Sequence, residues 1–204
     1  MESVKRIAQS EGHNLRVIGG TAGGRRLKEP VGFSIRPTTD MVKESVFNII
    51  QFDIEGRRVL DLFAGTGQLG IEALSRGAKS AVFVDSRPEA VRLIWDNIKI
   101  CGFTDAVSVY TRDALKYLAD KEKYDLIFLD PPYDTPLAGK AISKIIEFDK
   151  LNRNGIIICE IKADSAPPVA VQPYHLLKEY KYGTVKIARY ERKADLNAES
   201  VSAL

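Results

Sequence analysis

The sequence of 204 residues has no apolar run near the roughly 20 residues that a membrane-spanning helix needs, so no span is expected. Residues 1–14 hold no apolar block of the secretory kind, which argues against a leader. Cysteine is scarce: Cys101 and Cys159 stand far apart and form no CxxC or Cys/His cluster. Reduced thiols in a cytoplasmic protein are expected, and a bound metal is not. The two histidines, His13 and His175, have no neighbour in sequence that would make either a ligand or a base. No internal repeat or low-complexity block occurs.

What is present is the composition of an ordinary globular chain, 45% hydrophobic and 28% charged. Its length suffices for one α/β domain with a small appendage. The net charge of +3 is unevenly spread. Arg16, Arg25, Arg26, Lys28 and Arg36 face a single acid, Glu29, within one short stretch, and the rest of the chain is close to neutral. A basic arm on a near-neutral domain points to a polyanionic partner, although a solvated basic loop has the same composition.

Apolar Leu15, Val17 and Ile18 precede a glycine-rich turn and then Arg25-Arg26-Leu27-Lys28, which predicts a small hairpin carrying the arginines. Val42, Val46, Ile49 and Ile50 fall at helical spacing over 41–51, with Thr39 or Asp40 as the expected cap. Beyond Arg57 apolar strands alternate with helices. Strands are expected at 59–63, 81–85, 107–110, 124–129 and 155–160, with helices up to Arg76 and over 88–101, 114–121 and 138–148. Nearly all-apolar strands between helices indicate a parallel sheet covered on both faces. The segments 176–181 and 185–190, separated by Tyr182-Gly183-Thr184, read as an antiparallel hairpin. The expected architecture is a mostly parallel, seven-stranded α/β sheet ending in a β-hairpin, with a small hairpin and helix at its amino-terminal side. Such an ending is typical of Rossmann-like methyltransferases, a fold-level analogy. The expected organisation is an extension at 1–14, a hairpin and helix at 15–52, a catalytic domain at 53–193 and a tail at 194–204.

Two constellations carry chemistry. In the first, Asp61-Leu62-Phe63-Ala64-Gly65-Thr66-Gly67 closes a strand and opens a helix. Its glycines permit close approach of backbone to ligand, and Gly65, Gly67 and Gly70 also fit the dinucleotide pattern GxGxxG. Asp85 ends the next strand, where an acid binds a ribose hydroxyl. These residues indicate an adenosine-containing cofactor and leave NAD and S-adenosylmethionine both open. Asp61 favours the second, because a carboxylate there would repel a pyrophosphate and attract a sulfonium or ammonium group. Asp113 can accept from an adenine amine, cap its helix, or do both.

The second constellation is Asp130-Pro131-Pro132-Tyr133, directly after the fourth strand. Ligands of open α/β sheets bind beyond the carboxyl ends of strands, near the switch in strand order. An exocyclic base amine is a poor nucleophile because its lone pair is delocalised into the ring. The Asp130 carboxylate and the Pro131 carbonyl can accept its two N–H groups and favour a pyramidal nitrogen. The prolines fix the backbone that presents these oxygens. Tyr133 offers a face on which a flipped base stacks.

Asp130 to Tyr133 resembles the (D/N)PP(Y/F) motif of base amino-methyltransferases. Arg36-Pro37-Thr38-Thr39-Asp40, followed by Lys43 to Asn48, resembles the RPTTD segment of a narrower group, the RsmD-type bacterial enzymes. These methylate N2 of a guanine in 16S ribosomal RNA. The segment Leu15 to Leu27 is similar to that family's start, and Asp61 to Ser75 to its cofactor loop. The likeness covers roughly 15–192. It implies cofactor contacts from Asp61, Phe63, Ala64, Gly65, Thr66, Gly67, Asp85, Ser86, Asp113 and Ala114, with Arg36 and Thr38 near cofactor and base. It implies that Arg16, Arg25, Arg26 and Lys28 hold the RNA backbone, positioning it without reading sequence. The implied substrate is RNA in the small subunit or its assembly intermediate. Two departures are visible. Residues 1–14 precede the usual start of the family, and Lys43 replaces a common arginine, which would forfeit a bidentate contact. The rival readings are methylation of adenine N6 or cytosine N4, and an NAD-dependent oxidoreductase, which would leave Asp130 to Tyr133 unexplained.

Overall fold

A computed structural model describes residues 15–30 and 40–193. The expectations for 1–14, for 194–204 and for Arg36, Thr38 and Thr39 fall outside these residues. The elements run α1 (Asp40–Ile49), β1 (Arg58–Asp61), α2 (Gln68–Ser75), β2 (Ser80–Asp85), α3 (Pro88–Cys101), β3 (Val107–Thr111) and α4 (Ala114–Tyr117). They continue with β4 (Tyr124–Leu129), α5 (Leu137–Glu147), β5 (Leu151–Lys162), β6 (Tyr174–Tyr182) and β7 (Val185–Arg192).

The seven strands form one sheet in the order β3-β2-β1-β4-β5-β7-β6. Strands β1 to β5 are parallel, and β7 enters antiparallel between β5 and β6. This is the mostly parallel sheet with a terminal hairpin that the sequence predicts. The strand order reverses at β1, which pairs with β2 on one side and β4 on the other. That reversal opens the crevice in which ligands of such sheets sit. Leu60 and Ile127 face one apolar layer and Phe83, Phe128 and Ile158 the other, so alternate strand residues feed two cores.

Two elements depart from expectation, each for a polar reason. Strand β5 begins at Leu151, because the loop-like Asn152-Arg153-Asn154 forms an irregularity within the strand. Asn154 takes a φ of 60°, the pairing with β4 shifts register between Tyr124 and Leu126, and Asn152 donates to the Asp125 carboxylate at 2.8 Å. Helix α4 stops at Tyr117 because the following turn is held elsewhere. The buried Lys150 ammonium donates to the Asp120 carbonyl at 2.5 Å, and Arg112 takes the Asp120 carboxylate at 2.6 Å.

The basic hairpin forms around an Arg16–Arg26 antiparallel bridge. Leu15, Val17, Ala22 and Leu27 turn inward and join the core shared by α1, α2 and the sheet, while Arg16, Arg25, Arg26 and Lys28 remain exposed. Its anchor is polar. The fully buried Glu72 of α2 accepts the Ile18 and Gly19 amides at 2.7 and 2.8 Å, and the Arg76 guanidinium at 2.8 Å. Ser75 receives the Ala22 amide at 2.9 Å, and its carbonyl receives Thr21 at 2.7 Å. Gly20 sits against that carbonyl with a φ of 75°, where any Cβ would fall 1.8 Å from the oxygen. Glycine is therefore required there. On α3, Asn97 accepts the Lys28 amide at 2.7 Å and donates to the Thr66 carbonyl at 3.0 Å, joining the hairpin to the glycine loop.

Lys43 is also fully buried. Its ammonium donates to the Arg16 carbonyl at 2.5 Å and lies 3.5 Å from Asp40, and burial lowers its pKa. A single ammonium thus meets the backbone of the hairpin at the position where the resembled family often carries arginine. Asp40 is the first residue of α1, and its carboxylate also takes Arg16 at 3.1 Å.

Candidate active site

At the carboxyl ends of β1, β2, β4 and β5 lies a cleft of about 880 Å³, within the range of small-molecule and cofactor sites. The two constellations from the sequence meet in it. Asp61, Phe63, Ala64, Gly65 and Thr66 line it from β1 and its loop, Asp85 and Ser86 from β2, and Asp113 and Ala114 from the start of α4. Asp130, Pro131, Pro132 and Tyr133 line it from the segment after β4. Gly67 does not reach the cleft. With a φ of 78° it caps α2 and packs toward Ile94, so its part is to shape the turn. Arg16, Arg25, Arg26 and Lys28 lie apart on the hairpin. Arg25 donates to the Ile100 carbonyl at 2.7 Å and Lys28 pairs with Asp96 at 2.9 Å.

The acids differ in their surroundings. Asp61 is 2% exposed and accepts the Gly70 amide at 3.0 Å. Burial pushes its carboxyl up to about 7; the Gly70 bond opposes this, and the neighbouring Asp85 charge adds to it. Gly70 can approach only because it has no side chain: a Cβ would stand 2.3 Å from the Phe83 ring. Asp85 accepts the Gly65 amide at 3.0 Å and holds the Arg87 guanidinium through both its oxygens at 3.1 Å, which raises the Arg87 pKa. Asp113 caps α4 by accepting the Lys116 amide at 2.9 Å. Tyr133 donates its hydroxyl to Glu160 at 2.5 Å.

Three residues of the site were not legible beforehand. Glu160 of β5 lines the cleft, as does Gln68 at the start of α2. Asn97 stands behind the glycine loop. For Glu160 a signal existed: Asp61, Asp85 and Asp130 also stand where apolar strands end, and the run Ile156-Ile157-Ile158-Cys159-Glu160 repeats that pattern. Gln68 has no such mark. Its amide oxygen is buried without a hydrogen-bond partner among the described residues, a state that costs about 1–3 kcal/mol until a donor arrives. Among the described residues no cluster of His, Cys, Asp or Glu could hold a metal ion, and no helix is long and apolar enough to cross a membrane. Both cysteines are buried and unpaired, and burial raises both thiol pKa values.

Sheet order, glycine loop and the segment after β4 together define a Rossmann-like methyltransferase. The family model described as "Conserved hypothetical protein 95" matches residues 15–191. The ribosomal RNA small subunit methyltransferase D of Haemophilus influenzae is 35% identical, covering 87% of this chain and 93% of its own length. Its Escherichia coli namesake is 31% identical, covering 94% and 96%. The solved structure of the yhhF protein of Escherichia coli superposes with a TM-score of 0.80 at 31% identity, covering 89% of this chain and 99% of its own. An RNA methyltransferase of Salinibacter ruber shares the fold at 17% identity, with a TM-score of 0.61, covering 80% and 98%. The chain belongs to the Conserved hypothetical protein 95 family, together with the small-subunit methyltransferase D proteins.

Proposed function

We propose that the protein methylates the exocyclic N2 of a guanine in 16S ribosomal RNA, at the position numbered 966, with S-adenosylmethionine as donor. The observation that carries this reading is the placement of Asp130 to Tyr133 across the cleft from the glycine loop, in a chain whose relatives are named ribosomal RNA methyltransferases. The cleft fits the donor chemically. Asp85 and Asp113 suit ribose hydroxyls and an adenine amine, while Asp61 and the unpaired Gln68 oxygen suit a cationic amino-acid tail. A pyrophosphate would face Asp61 unfavourably, which weighs against NAD.

When bound, the donor supplies an electrophilic methyl group on a sulfonium sulfur. The Asp130 carboxylate and the Pro131 carbonyl accept the two N–H groups of the target amine and hold its nitrogen pyramidal, with the lone pair toward the glycine loop. Tyr133, its ring fixed by the bond to Glu160, supports the flipped base by stacking, a contact worth about 1–3 kcal/mol. No strong base is required, because the amine becomes acidic once alkylated and then loses its proton. Arg36 and Thr38 are assigned to the cofactor and base side of the site by resemblance. Arg16, Arg25, Arg26 and Lys28 grip phosphates, and the substrate is the RNA of the small subunit or its assembly intermediate.

The test is to incubate the protein with labelled S-adenosylmethionine and small subunits lacking the modification, then map the labelled base. Label on an adenine or cytosine amine, or on no base, defeats the proposal. Two further results are expected. Asp61 must be ionised to receive a cation, and its carboxyl titrates at about 7 in the free protein. Affinity for S-adenosylhomocysteine, followed by calorimetry, should therefore be full above pH 7. It should fall toward roughly tenfold per unit below that point. Folding stability moves the other way: the raised carboxyl penalises the folded state above pH 7, and the penalty fades as pH falls toward the unfolded value near 4. Replacing Arg25 and Arg26 together by alanine should weaken RNA binding and make its logarithmic salt dependence shallower by roughly 1 to 2. An unchanged slope would move the RNA surface elsewhere.

A further inference from the structure

The cleft holds a second acid at the base end, and methyl transfer as described uses it only to orient Tyr133. Leu129 of β4 pairs with Cys159 of β5 in parallel register. The next residues are Asp130, just past the end of β4, and Glu160, two residues before the end of β5, so the two acids follow a pair of neighbouring, registered residues. Both line the cleft, and both charges help to raise the pKa of the nearby Cys159 thiol. Glu160 is 8% exposed. A tyrosine hydroxyl can be held by a neutral acceptor, and a carboxylate kept nearly out of water beside another acid is costly. A carboxylate has about four acceptor positions and cannot donate, so Glu160 can hold Tyr133 and still accept another N–H.

We propose that Glu160 selects guanine: its carboxylate accepts the N1–H of the target base while Asp130 and the Pro131 carbonyl hold the adjacent N2 amine. This rests on the guanine-N2 reading above. The chemistry of the bases carries the assignment. Guanine presents two neighbouring donors, N1–H and N2–H, on its Watson–Crick edge, and two neighbouring acids complement them. Adenine and cytosine place a ring-nitrogen lone pair beside the amine, and that lone pair would face the carboxylate and be repelled. Through its bond to Tyr133, Glu160 also ties the residue that reads the edge to the residue that supports the face.

The experiment compares small-subunit RNA carrying guanine or 2-aminopurine at the methylated position. 2-Aminopurine keeps the 2-amino group but has a lone pair in place of N1–H. The wild-type protein should favour guanine in kcat/KM by about 10²-fold or more. Glu160→Gln can donate to that lone pair, so the preference should shrink to about tenfold or less, losing on guanine and gaining on 2-aminopurine. Affinity of this variant for S-adenosylhomocysteine should stay within about threefold of wild type. Tyr133→Phe removes the hydroxyl bond but not the charge, and should keep the guanine preference whatever its rate. If Glu160→Gln no longer binds S-adenosylhomocysteine, Glu160→Asp takes its place and should lose on guanine without gaining on 2-aminopurine. An unchanged guanine preference in the glutamate variant overturns the proposal. So does a collapse of that preference in Tyr133→Phe, which would reduce Glu160 to a prop for the tyrosine. A wild-type protein that places no methyl on guanine N2 instead defeats the reading on which the proposal rests.

Discussion

Replacing Asp130 by alanine is expected to lower kcat for methyl transfer by about 10³-fold. Affinity for S-adenosylhomocysteine should change by no more than about threefold. The asymmetry follows from position. Asp130 lines the cleft from beyond β4, on the side proposed for the base, while the acids proposed to hold the cofactor hang from β1, β2 and the start of α4. Without the carboxylate, the amine keeps only the Pro131 carbonyl, and its nitrogen returns toward the planar, delocalised form. Asp130→Asn retains one acceptor oxygen and should lose less, about 10²-fold. Single-turnover rates with saturating RNA, read beside calorimetry of the cofactor product, check both numbers. An alanine variant within about threefold of wild-type turnover would show that Asp130 does not position the amine.

The second large effect concerns stability. Glu72→Ala should cost about 3–5 kcal/mol, equivalent to a melting temperature lower by roughly 10 °C. The carboxylate is fully buried and accepts the Ile18 amide, the Gly19 amide and the Arg76 guanidinium together. Its removal leaves two amides and a cation without their acceptor and loosens the hairpin from α2. Thermal unfolding with and without S-adenosylhomocysteine measures the effect. RNA affinity should fall as well, because the arginines ride on the loosened segment. A loss below about 1 kcal/mol would mean that the apolar contacts of Leu15, Val17 and Leu27 suffice to seat the hairpin.

Much of this was visible in the sequence, and the parts that were not share a cause. The bounds of α3 and β4 match expectation because Pro88 opens one and apolar residues surround the other, so local pattern and packing agree. The order of acids and glycines along β1, β2 and β4 located the cleft because parallel strands all deliver their carboxyl ends to one edge. Where a polar side chain serves a distant backbone group, the pattern misled. Asn152-Arg153-Asn154 looked like a loop and forms part of β5, and the turn that ends α4 depends on Lys150, which is 30 residues further on. Asn97 acts across the fold, on the Lys28 amide and the Thr66 carbonyl, and carries no mark in its own stretch of sequence, whereas Glu160 closes an apolar run as Asp61, Asp85 and Asp130 do. Conversely, Asp61 to Ser75 carries two messages. Its first part, Asp61 to Thr66, lines the cleft, while Glu72 and Ser75 secure the hairpin.

The place of β7 also sets an order of events in time. The ribosome delivers β5 and β6 before β7, yet in the finished sheet β7 lies between them. Until Arg192 has left the exit tunnel, β5 therefore presents a row of unmatched amides and carbonyls along the strand that bears Glu160. The nascent chain can own a formed cofactor half while this edge is still adhesive toward other chains. That interval is shortest if β6 and β7 first close on each other through Gly183-Thr184 and dock as a unit. A message broken anywhere before Val185 would release a product with its sheet permanently open.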